Sequence, residues 1–285
     1  MTSSPDLAKL HDLATQIRRD AVRMIAANAS GHVGGALGAA DILAALYGHV
    51  MHHDPADPDR DRFVLSNGHV CAAFYAVLSR AGHLDPKELG TFRQLNSRLQ
   101  GHPARIDIPE LIETSTGPLG QGFSVANGLA MAAKLDGLTS HVYCLVGDGE
   151  MQEGQVWEAL MTASQHRLDN VTLIISYNGL QIDGDVDAIK SLQPLATRLE
   201  AFGWEVHEID GHDMQAVVDT LTHVRSSPRP TAVIAKTVMG KGVPFMEDKA
   251  IWHGKAPSLD QAREALVAIG PSHGLEDFPL ESGAL

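Results

Sequence analysis

The chain has 285 residues, 44% of them hydrophobic and 20% charged, which is ordinary for a globular protein and enough for a sizeable core. Its formal net charge of −13 argues against nucleic acid and anionic membranes as partners, because both reward basic patches. An anionic ligand would need local help from a metal, from backbone N–H groups or from histidines. Cys71 and Cys144, the two cysteines, sit inside apolar runs and read as buried thiols. The start, Met1-Thr-Ser-Ser-Pro-Asp6, lacks a basic segment followed by an apolar one, and no run of about 18 apolar residues is found. A cytoplasmic protein is the expectation.

Ser4-Pro5-Asp6 is a helix-start signal. Leu7, Leu10, Ala14, Ile17, Ala21 and Met24 then recur in steps of three and four, the pattern of an amphipathic helix. Ser30-Gly-His-Val-Gly-Gly35 breaks it, and a second helix is predicted over 39–50. The aspartate- and proline-rich segment 54–61 reads as a loop. A short strand over 62–66 turns at Asn67-Gly-His69 into a helix ending near Ala81. Glycine and proline punctuate 101–122, and a small-residue helix follows over 123–135. Next come a strand at 142–146, a helix at 154–167 and a strand at 171–176. Two more strands are expected at 204–209 and 231–236, with a helix near 213–225 between them. Residues 239–253 form a long loop, and a last helix covers 259–269.

Strands alternating with helices imply an α/β fold, a mostly parallel sheet flanked by helices on both faces. No linker divides the chain. Residues 1–270 are therefore expected to form one domain, and the glycine- and proline-rich residues 271–285 a flexible tail.

Two of the apolar runs lead to oxygen-bearing side chains, Asp148 and Asn178. They lie 30 residues apart, the length of one strand-helix-strand unit. Both oxygens should emerge at the carboxyl edge of a parallel sheet, where α/β folds bind ligands. With the Leu180 carbonyl they suit a hard cation such as Mg²⁺, and the cation in turn suits a diphosphate. Gly149 allows close approach of a phosphate. Asp183-Gly-Asp185-Val-Asp187 fails as a calcium loop, because Ala188 and Pro194 stand where the turn glycine and the closing glutamate belong.

The chain has fifteen histidines. His32, His69, His102 and His253 each adjoin a glycine in a predicted loop. No pair has the spacing of a helical zinc site such as His-Glu-x-x-His, which argues against zinc. Imidazoles near a substrate fit proton transfer and oxyanion stabilisation instead. The Gly117-Pro-Leu-Gly-Gln-Gly122 stretch is not a dinucleotide fingerprint, though its backbone could hold a flat heterocycle. Glu150, Glu153 and Glu158 stand at a helix start, where the dipole alone favours acids.

Taken together these motifs resemble those of the transketolase family. They are Ser30-Gly-His-Val-Gly-Gly-Ala-Leu-Gly38, Leu65-Ser-Asn-Gly-His69, Gln100-Gly-His-Pro103, Thr116-Gly-Pro-Leu-Gly-Gln-Gly122, Gly147-Asp-Gly-Glu-Met-Gln-Glu-Gly154, Asn178 with Ile182-Asp-Gly184, and Trp252-His-Gly254. The resemblance is to the first domain of full-length members, as in the N-terminal subunit of a split, two-component transketolase. It implies a thiamine diphosphate-binding domain that transfers a two-carbon ketol unit from a ketose to an aldose. On that basis Asp148, Asn178 and the Leu180 carbonyl bind Mg²⁺ or another divalent cation such as Ca²⁺ or Mn²⁺. Gly149, His69 and His253 contact the diphosphate, and Gly117 and Leu119 face the aminopyrimidine. His32, His69, His102 and His253 line the sugar. Glu153 and Glu158 resemble acids linking paired sites across a dimer.

The resemblance also implies a partner, a C-terminal subunit carrying the pyrimidine-binding domain, in an α2β2 heterotetramer that works on sugar phosphates. That subunit would supply the carboxylate that activates the cofactor ring. One departure is Val33, where the family usually has proline. The alternatives are a subunit like deoxyxylulose phosphate synthase, one like the alpha chain of a 2-oxo acid dehydrogenase, and a non-catalytic scaffold. The absent Gly-x-Gly-x-x-Gly fingerprint disfavours a nicotinamide-binding oxidoreductase.

Overall fold

A computed structural model of the chain describes residues 4–280. Asp6 caps α1 (Leu7–Ala27), its carboxylate accepting the Lys9 N–H at 3.2 Å. Helix α2 (Val33–Ala45) runs on into one π turn, Leu46–Val50. The elements that follow are β1 (Arg62–Leu65), α3 (Cys71–Arg80), α4 (Gln121–Leu135), β2 (Val142–Gly147), α5 (Gly154–Gln165) and β3 (Val171–Tyr177). A small antiparallel hairpin, β4 (Leu180–Gln181) and β5 (Gly184–Asp185), leads into α6 (Val186–Lys190) and α7 (Leu195–Ala201). The chain then forms β6 (Glu205–Asp210), α8 (Met214–His223), β7 (Thr231–Lys236) and α9 (Leu259–Ile269).

Five strands make one parallel sheet in the order β1-β2-β3-β7-β6. Side chains alternate across it, so each strand feeds two cores. Val142, Cys144 and Val146 face α4, α5 and α7, with Phe123, Leu160, Leu199 and Trp204. Tyr143 and Leu145 face the opposite layer, with residues of α1, α2, α3, α8 and α9. Burial on both faces explains why β2 and β3 read as continuous apolar runs. The α/β expectation is met. Both cysteines are free and buried, as expected.

Helix α2 begins at Val33, six residues before the predicted start. Its glycines are part of the helix. A Cβ on Gly34 would lie 2.6 Å from Met239 Cγ and 2.9 Å from the Trp252 carbonyl, and the Gly34 carbonyl accepts the Gly240 N–H at 2.9 Å. These glycines therefore admit the 237–252 loop, which leads to His253. The stretch Val33–Val50 has a mean hydropathy of 1.3, apolar enough by length and composition for a membrane, but it is 78% buried within the protein. It is the core helix of this layer.

Buried charges join the helices in pairs. Arg80 donates two hydrogen bonds to Asp20, at 2.7 and 2.8 Å, tying α3 to α1. Arg18 of α1 pairs with Asp41 of α2, and the same carboxylate takes the His212 Nδ1 proton at 2.6 Å. His212 Nε2 accepts the Val238 N–H at 2.8 Å, which fixes the tautomer and holds the start of the 237–252 loop.

Residues of the segment 271–280 pack against α1. Asp277 accepts two hydrogen bonds from Arg19, at 2.9 and 2.7 Å, and Phe278 is 1% exposed beneath the Arg23 guanidinium. Glycine and proline marked irregular backbone there. The partners come from a cationic row on α1 that local composition does not report. Residues 281–285 of the expected tail lie outside the described residues.

Candidate active site

β1, β2 and β3 finish at the same edge, and each ends in Asn or Asp followed by Gly: Asn67-Gly68, Asp148-Gly149 and Asn178-Gly179. Gly147 pairs with Ser176, so Asp148 and Asn178 leave neighbouring strands side by side. Asp148 Oδ1 accepts the Gly149 N–H at 2.8 Å, and Oδ2 accepts the N–H groups of Asn178 and Gly179 at 2.9 and 2.6 Å. Burial pushes this carboxyl up to about 6, against the opposing pull of those backbone donors. Asn178 Oδ1 accepts the Leu180 N–H at 2.9 Å. The carboxylate, the amide oxygen and the Leu180 carbonyl are hard donors, the set a small divalent cation prefers. Asn67 Oδ1 is buried beside them without a partner among the described residues. These residues fit a metal and a diphosphate.

Glu150 organises the backbone around them. Its buried carboxylate accepts the Ser66 hydroxyl at 2.5 Å, the Gly120 N–H at 2.8 Å and the Gly147 N–H at 3.2 Å. It thereby joins the ends of β1 and β2 to the loop before α4. Burial raises its pKa, while these donors lower it. Gly120 has φ +85°, and a Cβ there would sit 2.9 Å from Glu153 Cβ, so only glycine suits this crossing.

The four expected histidines meet in space. Ring centroids lie 5.1 Å apart for His32 and His69, 5.8 Å for His32 and His253, 5.1 Å for His69 and His253, and 6.4 Å for His32 and His102. His32 caps α2, His69 sits on the turn after β1, and His253 follows the short turn Ala250–Trp252. The His102 loop is gripped from below: the Tyr75 hydroxyl donates to the Gln100 carbonyl at 3.0 Å and Cys71 Sγ to the Gly101 carbonyl at 3.2 Å. Arg93 braces two of the loops, donating to Ser30 Oγ at 2.9 Å and to the Gly101 carbonyl at 3.2 Å.

Burial, with the like charges of His253, Arg93 and His102, holds His32 down at about 4. Burial, with His253, His32 and His102, holds His69 at about 3. Burial also lowers His253, and burial with Arg93 lowers His102. At neutral pH the cluster is a set of neutral imidazoles, each able to give a proton at one nitrogen and take one at the other.

Metal-type oxygens and imidazoles share one cleft of about 370 Å³. It is lined by His32, His69, His102, His253, Gly117, Leu119, Asp148, Gly149, Glu153, Asn178 and Leu180, all expected from sequence. Glu158 does not line it. It lies on the exposed side of α5, and Glu153 stands at the rim. Asn67, Glu150, Ser176 and Met239 also line the cleft and were not expected to. Asn67 was legible as the third strand end in the Asx-Gly pattern. Glu150 was not, because an acid at a helix start has an ordinary explanation in the dipole.

The chain matches the family described as transketolase, thiamine diphosphate binding domain, over residues 10–274. It is 42% identical over 265 residues to a protein of Actinobacillus succinogenes named as one subunit of an apulose-4-phosphate transketolase, covering 92% of this chain and 96% of that protein. It is 40% identical to the 6-deoxy-6-sulfo-D-fructose transketolase subunit SqwG of a Clostridium species, covering 91% of this chain and 96% of that one. The Campylobacter jejuni transketolase structure superposes with a TM-score of 0.87 at 35% identity, over 99% of this chain and 45% of that chain. The chain thus spans under half the length of that transketolase, and nearly the whole length of the two relatives named as transketolase subunits. It belongs to the transketolase family, whose thiamine diphosphate-binding domain it matches.

Proposed function

We propose that the chain is the cofactor-anchoring subunit of a two-component transketolase, which moves a two-carbon ketol unit from a ketose phosphate to an aldose. One observation carries this reading: four imidazoles converge in the same cleft as the oxygen set of Asp148, Asn178 and Leu180. Thiamine diphosphate, when bound, supplies the carbon nucleophile that cleaves beside the ketose carbonyl and carries the two carbons.

The chain's residues divide the remaining work. Asp148, Asn178 and the Leu180 carbonyl would hold Mg²⁺, or Ca²⁺ or Mn²⁺ in its place, which would supply positive charge to the diphosphate. Gly149, whose N–H donates to Asp148 Oδ1 in this structure, would lie against the phosphate. His69 and His253 contact the same phosphates. The backbone of Gly117 and Leu119 faces the aminopyrimidine.

His32, His69, His102 and His253 hold and move protons at the sugar hydroxyls. Each is worth roughly 3 kcal/mol if it acts as an oxyanion-hole donor does. Glu153 and Glu158 face the second site of the assembly, which is where an exposed acid on α5 has a use. A partner subunit with the pyrimidine-binding domain completes each site, in an α2β2 assembly. The near-complete match to proteins named as transketolase subunits supports a partner subunit.

The test is co-production with a pyrimidine-binding partner, followed by a panel of ketose phosphates, aldehydes and pyruvate. Two-carbon transfer from a ketose supports the proposal. Turnover of pyruvate alone rejects it in favour of an oxo-acid enzyme.

A further inference from the structure

A second group of metal-ligating side chains lies outside the cleft, at the start of β6. This strand is last in the sheet. Glu205 and His207 are two residues apart and so share a face. His223 ends α8, which packs against the same strand.

Both imidazoles aim at one oxygen. His207 Nε2 is 2.9 Å and His223 Nε2 3.6 Å from Glu205 Oε1. The three ligand atoms lie within 4.8 Å of one another, with the rings 83° apart. A tetrahedral ion with bonds of about 2.0–2.1 Å spaces its ligands roughly 3.4 Å apart, and the two observed separations bracket that value. The Ser227 hydroxyl donates to Glu205 Oε2 at 2.8 Å. It fixes the carboxylate's rotation and leaves Oε1 for a metal, as outer-shell partners of metal ligands do.

We propose that Glu205, His207 and His223 form a three-ligand site for a Zn²⁺-class divalent transition ion. Water takes the fourth position. Two imidazoles and one carboxylate suit Zn²⁺, Ni²⁺ or Cu²⁺ rather than Mg²⁺, so this site and the all-oxygen set in the cleft sort different ions. The ion takes the place of the proton between His207 Nε2 and Glu205 Oε1, and the neutral ring carries its one N–H at Nδ1 instead. It pins the edge strand to the end of α8 and stiffens the sheet edge.

Metal-stripped full chain is titrated with Zn²⁺ by calorimetry in excess Mg²⁺, and with Co²⁺ by visible absorption. His223→Ala and His207→Gln are compared with the unaltered chain, and folding is checked by circular dichroism. The unaltered chain should bind one Zn²⁺, melt at a higher temperature with it, and show the absorption of tetrahedral Co²⁺. Each variant should lose at least about tenfold in Zn²⁺ affinity, the least that losing even an outer-shell partner costs, together with that absorption. No Zn²⁺ uptake by the unaltered chain overturns the proposal. So does uptake unchanged in either variant, which would put the ion among the cleft histidines instead.

Discussion

The Asp148 carboxylate at the end of β2 accepts the backbone N–H of Asn178 at the end of β3, at 2.9 Å. One side chain thus fixes the exit of the neighbouring strand and stands as the acidic oxygen of the candidate metal set. Asp148→Ala should abolish cation-dependent binding of thiamine diphosphate to the assembled enzyme. It should also cost about 1–3 kcal/mol of stability, because the N–H groups of Asn178 and Gly179 lose their acceptor. Calorimetry and urea melts read the two effects separately. Normal cofactor affinity in the variant would refute the metal assignment.

His102 lines the cleft from a loop held by α3 and Arg93, not from a strand end that carries the oxygen set. His102→Ala is therefore expected to leave cofactor affinity intact and to slow turnover of the ketose, by about 100-fold if it stabilises developing charge. Steady-state kinetics with a saturating aldehyde decide this. Unchanged donor kinetics would remove His102 from the machinery.

The histidine cluster makes stability depend on pH with a definite sign. His32 and His69 titrate near 4 and 3 in the folded chain, below their ordinary 6.5. On acidification the unfolded chain takes up protons first, so the native state loses ground. The stability in question is full above about 6.5 and is lost as the pH falls towards those folded values. The unfolding free energy from urea melts should drop between pH 7 and pH 5. His69→Gln should make that drop smaller by about 1–2 kcal/mol. Identical pH slopes for the two proteins would contradict the neutral-imidazole picture.

Val33 stands where transketolases usually carry proline, and the structure explains why either residue suits the position. It is the first residue of α2, where an N–H has no partner within the helix, and the preceding His32 is extended at φ −108°, ψ 95°. Val33→Pro is expected to fold normally, with a stability change within about 1 kcal/mol. Thermal melts test it. A collapse of the fold would mean that the buried valine side chain is needed at this crossing.

Much of the layout is legible in the chain. The continuous apolar runs of β2 and β3, the amphipathic α1 and the Asx-Gly strand ends all reflect local chemistry. Helix α2 was harder to delimit because it is buried on every side and has no polar face to mark its phase. Its glycines look like breakers, yet they answer to Met239 and Trp252, which are remote in sequence. α6 and α7 are five and seven residues long, too short to establish a period. The pairing of Asp277 with Arg19 spans 258 residues and leaves no local trace. Within the site, local chemistry marked the oxygen ligands. The meeting of His32, His69, His102 and His253 depends on four separate loops and could be anticipated only through family resemblance.

On the proposed function this chain anchors the cofactor for ketol transfer and a second polypeptide activates it. Ketol transfer should be measured with the purified chain alone, with a pyrimidine-binding partner alone, and with both, each with thiamine diphosphate and Mg²⁺. Activity only in the mixture, lost when either Mg²⁺ or the cofactor is withheld, is the expected result. Appreciable transfer by the chain alone would contradict the account.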